Sequence, residues 1–247
     1  MKRYFAFAIL LSTIATSVPA QQAQKPDVRD FVRGNAFPRS YSELSASYDA
    51  SATPELVAML NSKTDENHWA RVAGMLGAIG DDRAVDALIA FVERPVNTLH
   101  LSQAQHDGRR EAIRALGFLV NRTGNERALN YLIDGLTPSV WRQRNVQGIA
   151  PWMNSYAEYD LRLSKYALFG LALSGAPRAG AALRALQQSP TPEQAQLRSG
   201  LDDTLAQWLE VYDLVAERGV AGMYKYYETR QRLKADQGAE VFVPSGR

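Results

Sequence analysis

The sequence predicts an all-α protein, a solenoid of about four helix pairs. Three stretches share the pattern G-x-x-R-A: GDDRA at 80–84, GNERA at 124–128 and GAPRA at 175–179. Each lies between two apolar segments, and the second segment carries a Leu at the same offset from the Gly. Self-similarity at a period of several tens of residues is the signature of a helical solenoid, an architecture that presents binding surfaces.

The periodicity of apolar residues predicts the helices in order. Thr53-Pro54-Glu55 suits a helix start, because Thr can cap free N–H groups, Pro fits the first helical position and Glu favours the positive helix end. The next helix has one apolar stripe at i, i+3, i+4 and i+7 spacing. Its members are Trp69, Val72, Ala73, Leu76 and Ile79.

Turn residues predict where that helix ends and the next begins. We expect Gly80 to end it in the left-handed conformation, and Asp81 or Asp82 to cap the following helix. The same pattern repeats around Gly124 and Gly175. A fourth pair, at about 193–217 and 219–235, lacks the G-x-x-R-A turn, as is usual for a terminal repeat.

These stretches resemble the HEAT-repeat family, specifically the short bacterial type named after phycobilisome lyases. LGAIGDDRAVDALIAFV at 76–92 is the close match, whereas the copy at 116–136 has four extra residues before its Gly and that at 171–186 is looser. The resemblance covers about 52–210. It implies a HEAT-like α-solenoid whose turn Asp and Arg stabilise helix junctions, so no catalytic role is expected for Asp81, Asp82 or Arg83.

Spacing between the turns predicts two inter-repeat insertions. The distance is 44 residues from Gly80 to Gly124 and 51 from Gly124 to Gly175. The surplus falls partly at about 95–107 and 137–160, and both insertions should emerge on one side of the solenoid. Long insertions on one side of a repeat protein commonly form its binding surface.

The second insertion supplies the candidate binding residues. Rings beside guanidinium groups suit contact with sugars, peptides or aromatic partners. The candidates are Trp141, Arg142, Arg144, Trp152, Tyr156 and Tyr159. Alternatively, the tryptophans fold back to cover the repeat ends and the arginines are solvated. If the arginines bind a partner, replacing both with Ala should weaken its capture and leave the helix content unchanged.

Two further segments allow a functional and a structural interpretation. His100, His106 and Asp107 could ligate a metal, but nothing fixes their geometry, and a polar loop with Asp107 as a helix cap is favoured. Residues 222–234 are aromatic and basic. A capping helix that packs Tyr224, Tyr227 and Leu233 is favoured there over a surface for an anionic partner.

The first twenty residues have the features of a secretory signal peptide. Lys2 and Arg3 precede an apolar segment, and Val18-Pro19-Ala20 provides small residues before a cleavage point. We expect no stable membrane span after cleavage. The mature chain would comprise a linker or N-terminal arm (21–40), the solenoid (41–236) and a C-terminal tail (237–247).

Composition limits the classes of function. Lys2 and Arg3 are two of the 28 basic residues, so the mature chain has 26 basic against 26 acidic residues, a balance that disfavours nucleic-acid binding. The chain has no Cys, which excludes disulfides, thiol catalysis and cysteine metal sites. No phosphate loop or paired-carboxylate motif is present, and we expect no cofactor.

These observations favour a periplasmic or secreted scaffold without catalytic activity that binds another envelope or secreted protein. The alternative is a lyase-like or other enzyme acting on a bound group in a solenoid pocket. Bilin attachment in that family is a cytosolic task, so the signal peptide argues against the alternative.

We predict that the exported protein begins at Gln21. The reason is the Val18-Pro19-Ala20 sequence behind a charged segment and an apolar core. N-terminal sequencing of protein recovered from the periplasm or the medium checks this prediction. Recovery of a membrane-bound protein that still starts at Met1 would contradict it.

Overall fold

The computed structural model describes residues 26–35, 37 and 41–235, and these residues form an all-α solenoid. The helices are α1 (Val28–Arg33), α2 (Tyr41–Ser47), α3 (Thr53–Asn61), α4 (Trp69–Ile79), α5 (Arg83–Val92), α6 (Gln103–Thr123), α7 (Glu126–Asp134), α8 (Pro138–Gln143), α9 (Tyr156–Ser174), α10 (Pro177–Gln188), α11 (Ala195–Ser199) and α12 (Asp202–Ala235). Within this part of the chain, no helix is both long enough and apolar enough to cross a membrane.

The helices form two layers. The first layer contains α4, α6, α9 and α12, and each of these helices packs on the next. The second layer contains α3, α5, α7 and α10, which lie against the first. The G-x-x-R-A turns connect α4 to α5, α6 to α7 and α9 to α10, so each predicted pair contributes one helix to each layer.

Glycines allow unusually close packing within the first layer. A Cβ on Gly117 of α6 would lie 2.1 Å from the carbonyl oxygen of Gly170 in α9. A Cβ on Gly77 of α4 would lie 2.9 Å from the Cα of Ala115 in α6. Both distances are shorter than non-bonded carbon contacts permit, so only a residue without a side chain fits at these crossings.

The three turns differ in backbone conformation. Gly124 and Gly175 are left-handed, with φ of 69° and 60°, as expected for glycines that end helices. The prediction for Gly80 was wrong, because it is extended with φ −63° and ψ 171°. Two residues separate Gly80 from the next helix, against one in the other turns, so the chain takes a different path there.

The arginine of each turn contacts the preceding repeat. Arg83 Nη2 donates a hydrogen bond to the Ala50 carbonyl oxygen at 2.9 Å, and its side chain pairs with Asp81 at 2.7 Å. The corresponding Arg127 pairs with Asp86 at 3.2 Å, and Arg178 pairs with Glu126. Each exposed pair stabilises the fold by no more than about 1 kcal/mol, so these contacts between repeats add little stability.

In the described part of the N-terminal arm, residues 26–35 and 37, helix α1 lies on the solenoid. Val28 and Val32 of α1 are buried, and α1 packs on α3. Asp65 is fully buried and accepts hydrogen bonds from Arg33 at 2.8 Å and Arg29 at 3.4 Å. These contacts attach the arm to the solenoid. The buried carboxylate of Asp65 needs nearby positive charge, and removing Arg29 or Arg33 would reduce it.

The C-terminal helix returns towards the N-terminal end of the protein. Gly219, with φ of 68°, interrupts α12 at the boundary predicted for the fourth pair. Beyond it Met223 and Tyr227 are buried, and the Tyr224 ring stacks on Tyr41 of α2 at 5.8 Å. Tyr224 and Tyr227 therefore lie on the packing face, as predicted, while the side chain of Leu233 is outside the described residues.

We predict that Leu76→Ala and Leu116→Ala each lower the free energy of unfolding by about 2–5 kcal/mol, because both leucines are fully buried. Leu99→Ala is the matched control, since Leu99 is 54% exposed, and it should change stability by less than about 0.5 kcal/mol. Denaturant unfolding provides the measurement. Equal effects at Leu76 and Leu99 would contradict the repeat alignment.

Candidate functional site

The two insertions contact each other and form one surface. The Leu101 N–H donates to the Ile149 carbonyl oxygen at 2.8 Å, and the Ile149 N–H donates to the Leu99 carbonyl oxygen at 2.8 Å. These bonds make an isolated parallel bridge between His100 and Ile149. We name the connected segments 95–102 and 144–155 the joined loops. They lie at the N-terminal ends of α6 and α9, so the two insertions emerge together.

Two of the candidate contact residues belong to the core. Trp141 is fully buried, and its Nε1 donates to the Gly135 carbonyl oxygen at 3.1 Å and to Ser164 Oγ at 3.0 Å. Tyr159 is fully buried as well. An interpretation of Trp141 and Tyr159 as surface contacts is therefore corrected. Trp141 covers the repeat end, which is the alternative that the sequence left open.

Both candidate arginines bind the chain itself. Arg142 pairs with Asp160 at 2.9 Å and lies 4.4 Å from the Tyr156 ring centroid. Arg144 donates to the Tyr131 carbonyl oxygen at 3.1 Å and lies 3.8 Å from the centroid of that ring. Each arginine has internal partners that hold the second insertion on the solenoid, so replacing both with Ala would remove these contacts as well as any contact with a partner.

A buried histidine lies below the joined loops. His106 on α6 is 1% exposed, with Nδ1 3.4 Å from Tyr159 Oη and Nε2 3.2 Å from Tyr166 Oη. The Trp152 ring covers it edge-on at 4.8 Å. The pKa of His106 is lowered to about 4, mainly by burial and also by neighbouring arginines, while Asp107 opposes the shift. The histidine is therefore neutral at pH 7 and forms part of a hydrogen-bonded aromatic cluster.

The geometry separates the candidate metal ligands. His100 is exposed on the first loop, His106 points into the core, and Asp107 accepts a hydrogen bond from Gln103 at 2.8 Å. Among the described residues, no group of three or more His, Asp or Glu side chains could hold a metal ion. Ser102 caps α6 through the Gln105 N–H, so Asp107 lies inside the helix and is not its cap.

Three large apolar side chains are exposed on or beside the joined loops. Leu99 is 54% exposed, Trp152 53% and Tyr156, the first residue of α9, 38%. Within the described part of the chain, these are the exposed large hydrophobic residues. We name them the exposed patch. Trp152 and Tyr156 were candidates from the sequence, whereas Leu99 was not, since nothing in a short loop sequence indicates which way its side chains point.

A cleft of about 550 Å³ lies between the start of α4, the end of α5 and the first loop. Its floor contains Trp69 and Phe91, and its charged lining residues are Lys63, Arg94 and Arg109. No carboxylate is among the described residues that line it. Sequence reasoning missed this cleft, because Trp69 has core periodicity and Arg94 and Arg109 are separated by the first insertion.

The comparison with family models identifies one repeat. Residues 71–94 match the PBS lyase HEAT-like repeat, a stretch that begins within α4 and ends just beyond α5. None of the curated proteins or solved structures compared with the chain matches it significantly. The matched pair and the stacked pairs that follow it define the described part of the chain as a helical-repeat scaffold with a HEAT-like repeat.

We predict that the free energy of unfolding falls as the pH is lowered from about 6.5 to about 4, by up to about 3 kcal/mol from His106. The unfolded histidine binds a proton in this window, whereas the folded one does not, so protonation favours the unfolded state. His106→Gln should reduce this slope in denaturant titrations, whereas His100→Gln should not. An unchanged slope in His106→Gln would contradict the assignment.

Proposed function

We propose that this chain is an exported, non-catalytic scaffold that binds another envelope or secreted protein through the exposed patch. The observation that carries the proposal is the position of Leu99, Trp152 and Tyr156, which are exposed together on and beside the joined loops. Apolar side chains that are grouped at the surface of a folded protein commonly mark an interaction site. Aromatic residues beside arginine are also the composition of interface hot spots.

The support beneath the patch favours a preformed binding surface. Trp152 rests on the His106 ring, and Tyr156 lies over the guanidinium of Arg142, which is held by Asp160. Backbone hydrogen bonds connect the two loops that carry most of the patch. A patch ordered before binding loses less conformational entropy when the partner docks, which increases affinity.

The location of the protein is part of this proposal. The charged and apolar segment at 1–20 supports export to the periplasm or the medium, and it lies outside the described residues. The equal numbers of acidic and basic residues after position 20 favour a protein partner over a nucleic acid. The proposed scaffold needs no cofactor for this role.

We predict that Trp152→Ala combined with Tyr156→Ala greatly reduces capture of the partner. Interface anchors of this kind typically contribute about 2 kcal/mol or more each, and both side chains are too exposed to be essential for folding. The measurement is co-purification of the tagged mature protein from envelope and medium fractions, quantified by mass spectrometry. The helical circular dichroism signal should persist.

The matched control replaces two exposed arginines of α10, Arg178 and Arg184, with Ala, which leaves the exposed patch intact. This variant should retain the partner. If the same protein is captured equally by wild type and by the Trp152/Tyr156 variant, the patch is not the binding surface.

A further inference from the structure

Two arginines of the cleft have no carboxylate partner among the residues that the structure describes. Arg109 is only 3% exposed, and its Nη1 donates to the Gln147 carbonyl oxygen at 2.9 Å. Arg94 Nη2 donates to the Leu60 carbonyl oxygen at 3.0 Å and to Asn61 Oδ1 at 2.9 Å. All of these acceptors are neutral, so neither guanidinium group has an opposite charge among its described partners. Burying a charge without an opposite charge is costly, and an anion in the cleft would reduce this cost.

The two arginines line the same cleft. Arg109 Nη2 lies 3.5 Å from the backbone carbonyl oxygen of Arg94. Burial lowers the pKa of Arg94, and the positive charge of Arg109 lowers it further. An anion that contacts both groups would replace this repulsion with two attractions.

The cleft provides an apolar surface beside this positive charge. The Arg94 guanidinium lies 5.0 Å from the Trp69 ring centroid and 4.6 Å from that of Phe91, which holds its planar group in place. Pro95 and Val96 line the wall. A volume of about 550 Å³ is within the range of small-molecule sites, about 300–1,000 Å³.

A neighbouring lysine contributes less to the site. Lys63 also lines the cleft, but its ammonium group pairs with Glu66 and its side chain is 75% exposed. Water and the carboxylate therefore screen its charge. The positive potential of the cleft comes mainly from Arg94 and Arg109.

We propose that this cleft binds a small organic carboxylate with an apolar body. The carboxylate contacts Arg94 and Arg109, and the body lies along the apolar wall formed by Pro95 and Val96. A planar guanidinium can donate two parallel hydrogen bonds to a carboxylate, which gives both strength and orientation. A free organic acid and the C-terminal carboxylate of a peptide share this chemistry. The inference goes beyond the proposed protein partner, because its residues are outside the exposed patch.

Isothermal titration calorimetry with matched probes tests the proposal. The probes are 3-phenylpropionate, the neutral 3-phenylpropionamide, inorganic phosphate, and N-acetyl-alanyl-phenylalanine as free acid and as amide. We expect 3-phenylpropionate to bind at least about tenfold more tightly than its amide and than phosphate. Tighter binding of the peptide acid than of 3-phenylpropionate would assign the site to a peptide C-terminus; the reverse order would assign it to a free acid.

Arg94→Met removes the charge and retains an unbranched apolar side chain against Trp69. It should weaken 3-phenylpropionate binding by at least about tenfold, whereas Arg184→Met, an exposed control on α10, should not change it. If Arg94→Met does not fold, the acid–amide comparison on the wild-type protein decides.

The proposal would be overturned if the wild-type protein bound 3-phenylpropionate and its amide equally, or if folded Arg94→Met bound 3-phenylpropionate as tightly as wild type. It would also be overturned if none of the acids bound at concentrations up to about 10 mM. These results would leave partner capture by the exposed patch unaffected, because that capture is measured with other variants. The two proposals can therefore fail separately.

Discussion

The close approach of the first-layer helices is the constraint on which the rest of the structure depends. At the crossing of α6 and α9, any side chain on Gly117 would overlap the carbonyl oxygen of Gly170. Gly77 and Ala115 allow similar contact between α4 and α6. Close packing increases the buried area per helix and fixes the position of each helix along its neighbour. The second-layer helices and the turn arginines then pack on first-layer helices whose positions along one another are already determined.

The packed first-layer helices determine where the joined loops lie. Helix α4 has 11 residues, whereas α6 has 21 and α9 has 19. The N-terminal turns of the longer helices carry His106 and Arg109 on α6 and Tyr159 on α9, directly below the loops. The surface that we propose for partner binding and one wall of the cleft are therefore both supported by these N-terminal turns.

In and around the joined loops, arginine side chains donate the hydrogen bonds to backbone carbonyl oxygens that backbone N–H groups donate within the helices. Loop carbonyl oxygens need hydrogen-bond donors when they are buried. Arg142 contacts the Val146 carbonyl oxygen and Arg109 contacts that of Gln147, while Arg144 contacts that of Tyr131 at the end of α7. Arg142 and Arg144, which were candidates for partner binding in the sequence, therefore bind mainly to other parts of the same chain. Arg94 and Arg109 differ, because they also line a cleft whose described lining residues include no carboxylate.

The sequence by itself determined the helix pairs around the three G-x-x-R-A turns and their buried leucines. Regular spacing of apolar residues directly reflects which face of a helix is buried, so Leu76 and Leu116 were predictable. Only the tertiary structure decided that Trp141 is buried while Trp152 is exposed, and that His106 faces two tyrosines. Trp141 lies in a helix of six residues and His106 in the first turn of α6, next to the insertions, where periodicity gives little guidance. Trp152 lies in a loop, which has no periodicity, and burial there depends on contacts such as that between His100 and Ile149. Segments far apart in the sequence meet there, and local patterns carry no information about which side chain each contact covers.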